Sequence, residues 1–337
     1  YFFSTNFNSW FGWEIPWVLP AVIASVLITI LCWFDVALSV KILGVALVGE
    51  IVILVIFDVL VFGQGGSTTG IAYDSIDLTK LTNPGVGLAA GVGVFLAFWS
   101  WVGFEAIPNY AEESKDPKRN VVRATMISVI GLGVLYVFVM WMFVAASGKA
   151  GAAELVNQQY AGEIGSIFYP MSDQFAGSWL TLGFEVFILT GSFACQLAFF
   201  NTGCRYLFSM GREGVLPSML GRTHAKYHSP HIAGLVAGVF VFLWVGAFFL
   251  YDPTYLGALL KLGTWSPLLG VAGILAIQAL VSLALIVYFA KQKKMHWFKT
   301  GLAPVVAIIT QIYAVKLLFD FRGDLSGAAG VPFIQYL

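Results

Sequence analysis

The sequence predicts an all-α membrane protein with about eight transmembrane helices. Three observations carry that prediction. Of the 337 residues, 59% are hydrophobic and only 11% are charged, whereas a water-soluble domain carries about a quarter charged residues. The mean hydropathy is +0.84. Apolar runs long enough to cross a bilayer recur near residues 17–34, 38–62, 87–110, 120–147, 179–210, 229–250, 258–290 and 300–320. A ninth run opens at Val331 and stops at Leu337.

Taken in order, the chain opens without Met in a polar, aromatic stretch that is no cleavable leader, and it is expected to be part of a longer protein. The first two spans follow. The outer connector 63–86 contains "GQGGSTTG", which lacks the GK[ST] ending and the preceding strand of a phosphate loop; it is expected to be a flexible link. The third span carries Gly87, Gly91 and Gly93, read as close helix packing. A second outer loop is expected over 148–178. The fifth span ends at Gly214 and Pro217, a stop signal. The seventh contains "GTWSP", Gly263 to Pro267, where a break is expected.

Lys and Arg fix the direction. Thirteen of the eighteen cluster on the loops or helix ends after the first, third, fifth and seventh spans. Three (Lys80, Lys149, Arg322) sit on the opposite set. Lys261 and Lys316 fall inside spans. A positive excess marks the cytoplasmic side. The net charge is zero, so no electrostatic case for nucleic acid exists. Cys32, Cys195 and Cys204 form neither a disulfide framework nor a zinc pattern. Four histidines fall at inner loops, and His224 and His228 lack a third ligand. With no G-x-S-x-G and no HExxH, no catalytic residue, metal or cofactor is expected.

Ionisable groups inside spans are costly and mark function by default. Glu50 lies nine residues past Lys41, roughly 14 Å in, near the midplane; a functional role is preferred to packing there. Asp58 and Glu185 lie nearer the outer surface, within reach of water or a polar neighbour. Glu105 has different company. Trp99, Ser100, Trp101, Val102 and Gly103 precede it where the third span crosses its middle. Gly103 weakens the helix and Pro108 withholds a donor. Irregular backbone at membrane depth is tolerated where it lines a cavity or is buried in protein, and its bared carbonyls and amides can bind ions. A binding site and a kinked packing helix both remain open on these residues alone. Ser192 and Asn201, with Thr190, Gln196 and Thr202, either line a cavity or bridge helices.

The stretch "FWSWVGFEAIPNYAEESKDPKRNVVRA" resembles the sixth-helix signature of the amino acid–polyamine–organocation (APC) transporters. "RYLFSMGREGVLP" resembles the signature at the inner end of that family's eighth helix. The resemblance covers essentially the whole chain and aligns its spans with helices four to eleven. It implies a LeuT-like inverted-repeat fold within one transporter domain, 1–337. There 17–62 is the remainder of the first repeat, 87–290 the second repeat and 300–320 an additional helix. It implies alternating access, with amino acids or related amines as substrate, the lipid bilayer as surroundings and protons as a candidate coupling ion. By position, the carbonyls of Trp99, Ser100 and Val102 would receive the substrate ammonium, and Trp99 would gate it. Glu105 matches an acidic position linked to gating or proton coupling. Glu50 falls near a position where some members carry a lysine, so that coupling does not transfer unchanged. The family's first helix, whose Gly-Ser-Gly break holds the substrate carboxylate, has no counterpart here. A non-transporting sensor on the same fold is the alternative function; a membrane enzyme or a channel fits less well.

Overall fold

The computed structural model describes residues 1–34, 36–68, 70–77, 79 and 87–326. The expected run from Val331, Lys80, and residues 80–86 of the first outer connector lie outside them. Helices α1 (Phe2–Phe11), α2 (Val18–Trp33), α3 (Val36–Gly63), α4 (Gly87–Ser100), α5 (Pro117–Ala161), α6 (Phe168–Ala176), α7 (Ser178–Arg212), α8 (His231–Tyr251), α9 (Gly263–Lys291), α10 (Ala303–Asp320) and α11 (Arg322–Ser326) follow one another. Among the described residues there is no strand, only one isolated bridge between Ser67 and Gly70. Seven stretches of the described residues are long and apolar enough to cross a bilayer. The expected first span is the shorter eighth. It forms the 16-residue α2, about 24 Å long, with Trp17 anchored at its start by a hydrogen bond to the Pro253 carbonyl (3.0 Å).

Large apolar side chains stand on the outer faces: Leu250 is 85% exposed and Ile127 72%. A water-facing surface does not sustain so much apolar area; lipid does.

The chain forms two compact units, one of Tyr1–Ile76 with Gly103–Ala258, the other of Asp77–Val102 with the chain from Leu259. In the first, α3 packs antiparallel on α7. Gly49 meets the Phe187 ring, Gly183 meets Ile53, and Gly191 meets Glu50. Small residues on both helices allow this approach. Phe57, Val61, Met142, Phe175, Leu180 and Phe184 form the core that ties α3, α5, α6 and α7 together. A second cluster joins α2, through Ile28 and Cys32, to α7, through Leu197, Phe200 and Cys204. In the second unit, Phe95 of α4 packs among Leu268, Val271 and Leu275 of α9 and Ala314 and Leu317 of α10. Gly91 admits the Phe321 ring, the close packing expected of it.

The opening stretch forms α1, closed by Gly12 in the left-handed region. Three expectations need correction. First, the outer loop 148–178 is mostly helix. Asp116 accepts from the Arg119 N–H and Pro117 starts α5, a favourable cap. Gly148 (φ 71°, ψ 161°) then breaks α5 at a kink into two helical arms, and the second arm forms because "KAGAAELVNQQYA" is rich in helix formers. Second, the described part of the connector after Gly63 is pinned. Ser67 donates its N–H to the Ala145 carbonyl (2.7 Å), Gln64 reaches the Phe175 carbonyl (2.8 Å) and Asp74 pairs with Lys149. Third, the helical run through "GTWSP" is continuous. Its irregularity lies one turn earlier, in a π-helical Gly257–Leu262, since Pro267 sits in the second turn of α9.

The turn at Gly66 yields a stability prediction. Its φ is +79°, and a Cβ would stand 2.9 Å from both the Ala145 and Gly70 carbonyl oxygens. Gly66→Ala is therefore expected to cost about 1–3 kcal/mol and to lower the melting temperature in detergent. A neutral result would show that the connector bends without strain.

Candidate functional site

The third span is interrupted where its residues said it would weaken. Helix α4 stops at Ser100, Trp101–Gly103 form a turn, and Phe104–Glu113 continue as a 3-10 helix. Gly103 sits at φ 123°, a conformation a side chain makes unfavourable. Pro108 lies inside the 3-10 run, where its missing N–H favours departure from α geometry. The break uses its own groups sparingly. Trp101 N–H donates to the Phe98 carbonyl (3.2 Å), Val102 N–H to Trp99 (3.0 Å) and Ala106 N–H to Gly103 (3.0 Å). The Glu105 carboxylate accepts the Gly103 N–H at 2.8 Å. The carbonyls of Ser100 and Val102 receive no backbone N–H among the described residues. Trp99's carbonyl keeps one lone pair, the other being taken by Val102.

Each side of the break belongs to its own unit. On one, Trp99 packs edge-on against Phe95 (centroids 6.5 Å apart), and Trp101 is half-buried. On the other, Gly103 lies over Phe199 of α7, 3.7 Å from where a Cβ would stand. Arg205 of α7 helps to fasten the 3-10 segment. The Arg205 guanidinium donates to the Asn109 carbonyl (3.2 Å) and lies 4.1 Å above the Tyr110 ring. Arg205 opens the second sequence motif and Asn109 and Tyr110 belong to the first, so the two motifs meet in space. The sequence shows Arg205 as the first residue of its motif but not what it touches; a partner 96 residues away leaves no local trace.

Glu50 is half-buried, with its carboxylate laid over Gly191, where a Cβ would come within 2.6 Å of Oε1. Asp58 departs from expectation. It does not reach water: it is fully buried, and both carboxylate oxygens lack a partner. Its neighbours on the helix, Phe57 and Val61, are core residues. Glu185, by contrast, accepts from the Trp10 indole (2.7 Å). Ser192 bonds back to the Ile188 carbonyl and lines an apolar cleft of about 970 Å³ with Thr190, Gln196, Phe193 and Leu27. Asn201 is buried, accepts from the Cys32 thiol (2.6 Å) and lies in the α2–α7 packing rather than in that cleft. Of the inner-loop histidines, His224 and His231 pack edge-on against Trp33. Among the described residues no group of acids, histidines and cysteines is arranged to hold a metal.

The contact between Glu50 and Gly191 gives a second prediction. Gly191→Leu displaces the Glu50 carboxylate and overpacks the α3–α7 seam, a cost of about 1–3 kcal/mol. The melting temperature in detergent is expected to fall by several degrees, whereas Gly44→Leu, where a side chain meets open space, leaves it nearly unchanged.

Comparison with known proteins now decides the class. The sequence profile of the family described as "Amino acid permease" matches residues 1–333. The chain belongs to the amino acid permease family. This places it in the APC superfamily, a group of permeases rather than enzymes, and gives the α-helical architecture its LeuT-like inverted-repeat class. It is an integral membrane protein. Among its relatives is the branched-chain amino acid permease BcaP of Bacillus subtilis (strain 168), 27% identical over 236 residues, 68% of this chain and 45% of that protein. The methylthioribose transporter of the same organism is 25% identical over 67% of the chain and 44% of its own length. The low-affinity putrescine importer PlaP of Escherichia coli (strain K12) is 25% identical over 51% and 35%. The permease chain thus spans less than half the length of these relatives.

Proposed function

We propose that the complete protein is a secondary carrier that moves amino acids or related amines across the plasma membrane by alternating access, as a proton symporter or an exchanger. The observation that supports this best is the interruption at Trp101–Gly103 inside an apolar span. Open carbonyls in a low-dielectric surrounding suit an ammonium group, because a cation there has no water to replace them. On this reading Trp99, Ser100, Trp101, Val102 and Gly103 form the substrate face of the break, with Trp99 as its aromatic cover. Glu105 sets the geometry of the break through its bond to the Gly103 amide, and Glu50 and Glu105 are the acids nearest the route of a coupling proton. Ser192 and Asn201 belong to the surrounding helices. Residues 17–62 are the remainder of the first repeat, 87–290 the second repeat and 300–320 an additional helix, and the loops after spans one, three, five and seven face the cytoplasm.

The names of relatives point to branched-chain amino acids and putrescine as first probes. The complete protein, reconstituted in liposomes, is expected to accumulate radiolabelled leucine or putrescine, faster with an acid outside than at equal pH. An unchanged rate removes proton coupling and leaves exchange. Binding without any flux, in the absence or presence of internal substrate, would replace the carrier by a sensor.

A further inference from the structure

One carboxyl of the spans takes no part in the break. Asp58 lies eight residues beyond Glu50 on α3, about 12 Å further along the helix. The antiparallel register, with Glu50 at Gly191 and Ile53 at Gly183, sets it level with the first turns of α7. It is fully buried, and neither oxygen finds a donor. Phe57 and Val61 beside it belong to a cluster of Met142 and Phe143 of α5, Met171 and Phe175 of α6 and Leu180 and Phe184 of α7. An ionised carboxylate in such a place has lost its water and gained nothing. A metal cation would need several oxygen ligands, and this cluster supplies hydrocarbon and thioether instead.

The titratable groups of the elements packed on α3 are engaged or turned away. On α5, Lys149 pairs with Asp74, and Tyr136 and Glu154 are exposed. On α6, Asp173 is exposed, and Tyr169 bonds Asn6. Burial pushes the Tyr169 hydroxyl up to about 12, so it stays neutral. On α7, Glu185 holds Trp10 and Cys195 is exposed. On α2, Cys32 holds Asn201. On α3 itself, Glu50 rests on Gly191. None of them bonds or pairs with Asp58.

We propose that Asp58 is a proton-binding residue of this permease, holding a proton in the packed arrangement and releasing it to water when the α3–α5–α6–α7 cluster loosens. Only the O–H bond breaks and re-forms; the proton leaves as hydronium and no electron moves. The inference rests on the carrier reading above and adds to it which acid carries the coupling proton.

The test uses the complete protein in liposomes, with radiolabelled leucine as probe. Two fluxes are compared: uptake driven by an outside-acid gradient, and counterflow at equal pH against internal leucine. Asp58→Asn is expected to keep counterflow within about twofold and to lose the gradient's acceleration, at least tenfold of it; Asp58→Glu restores part. An Asp58→Asn protein that responds to the gradient like the wild type overturns the proposal. Should Asp58→Asn not be recovered folded, the ratio of the two fluxes in Glu50→Gln and in Glu105→Gln decides. A ratio like the wild type's in both supports Asp58, whereas a ratio near one in either moves the coupling to that acid and overturns the proposal. If the wild type shows neither flux, the carrier reading itself fails and this inference falls with it.

Discussion

Gly103→Ala is expected to lower uptake by the complete protein at least tenfold while moving its melting temperature by only a few degrees. The backbone at Gly103 has φ 123° and ψ −25°, outside the regions open to residues with a Cβ. Forcing alanine there costs about 1–3 kcal/mol. The nearest atom to the new methyl is a ring carbon of Phe199 at 3.7 Å, an ordinary contact, so the penalty is conformational rather than steric. Relaxation of the turn toward helical dihedrals would also withdraw the Gly103 N–H from Glu105 and re-aim the Ser100 and Val102 carbonyls. A difference of 1.4 kcal/mol is tenfold in an equilibrium, so modest strain placed at the break suffices. Leucine uptake and thermal unfolding, measured on the same preparation, separate the two effects. Wild-type uptake in Gly103→Ala would detach the interruption from transport.

The second large effect is expected at Arg205. Its guanidinium helps to tie α7 to the 3-10 segment, through the Asn109 carbonyl and the Tyr110 ring. A hydrogen bond from a charged donor contributes about 1.5–3 kcal/mol, and a cation over a ring about 0.5–2 kcal/mol. Arg205→Ala is expected to reduce uptake more than tenfold. Arg205→Lys keeps the charge but loses the planar fork, and is expected to recover only part. Tyr110→Leu, which removes the ring and leaves the hydrogen bond, should fall between the wild type and Arg205→Ala. Equal uptake in all three variants would mean that the segment holds its place without α7.

The membrane class, the order of spans and the interruption were legible because each leaves a local mark. Apolar runs announce spans, and Gly103 and Pro108 announce a break within a few residues of it. The second arm of α5 was also written locally, in its Ala, Glu and Gln content, but the length of the polar stretch suggested a loop. What stayed hidden depends on distant partners. Asp58 looked accessible because depth along a helix says nothing of which side faces the core; the side chains that seal it come from α5, α6 and α7. What Arg205 touches did not show, since Tyr110 is far off in the chain. The connector after Gly63 read as loose because three positive-φ glycines look the same whether or not Ala145 waits to accept a bond.

The hydrogen bond from the Gly103 amide to Glu105 sets up a rivalry. The protein's own acid already occupies the donor that the acidic end of an arriving zwitterion would seek. A solute whose carboxylate sought this amide would have to displace a tethered group two residues away, at high effective concentration, whereas a simple diamine makes no such demand.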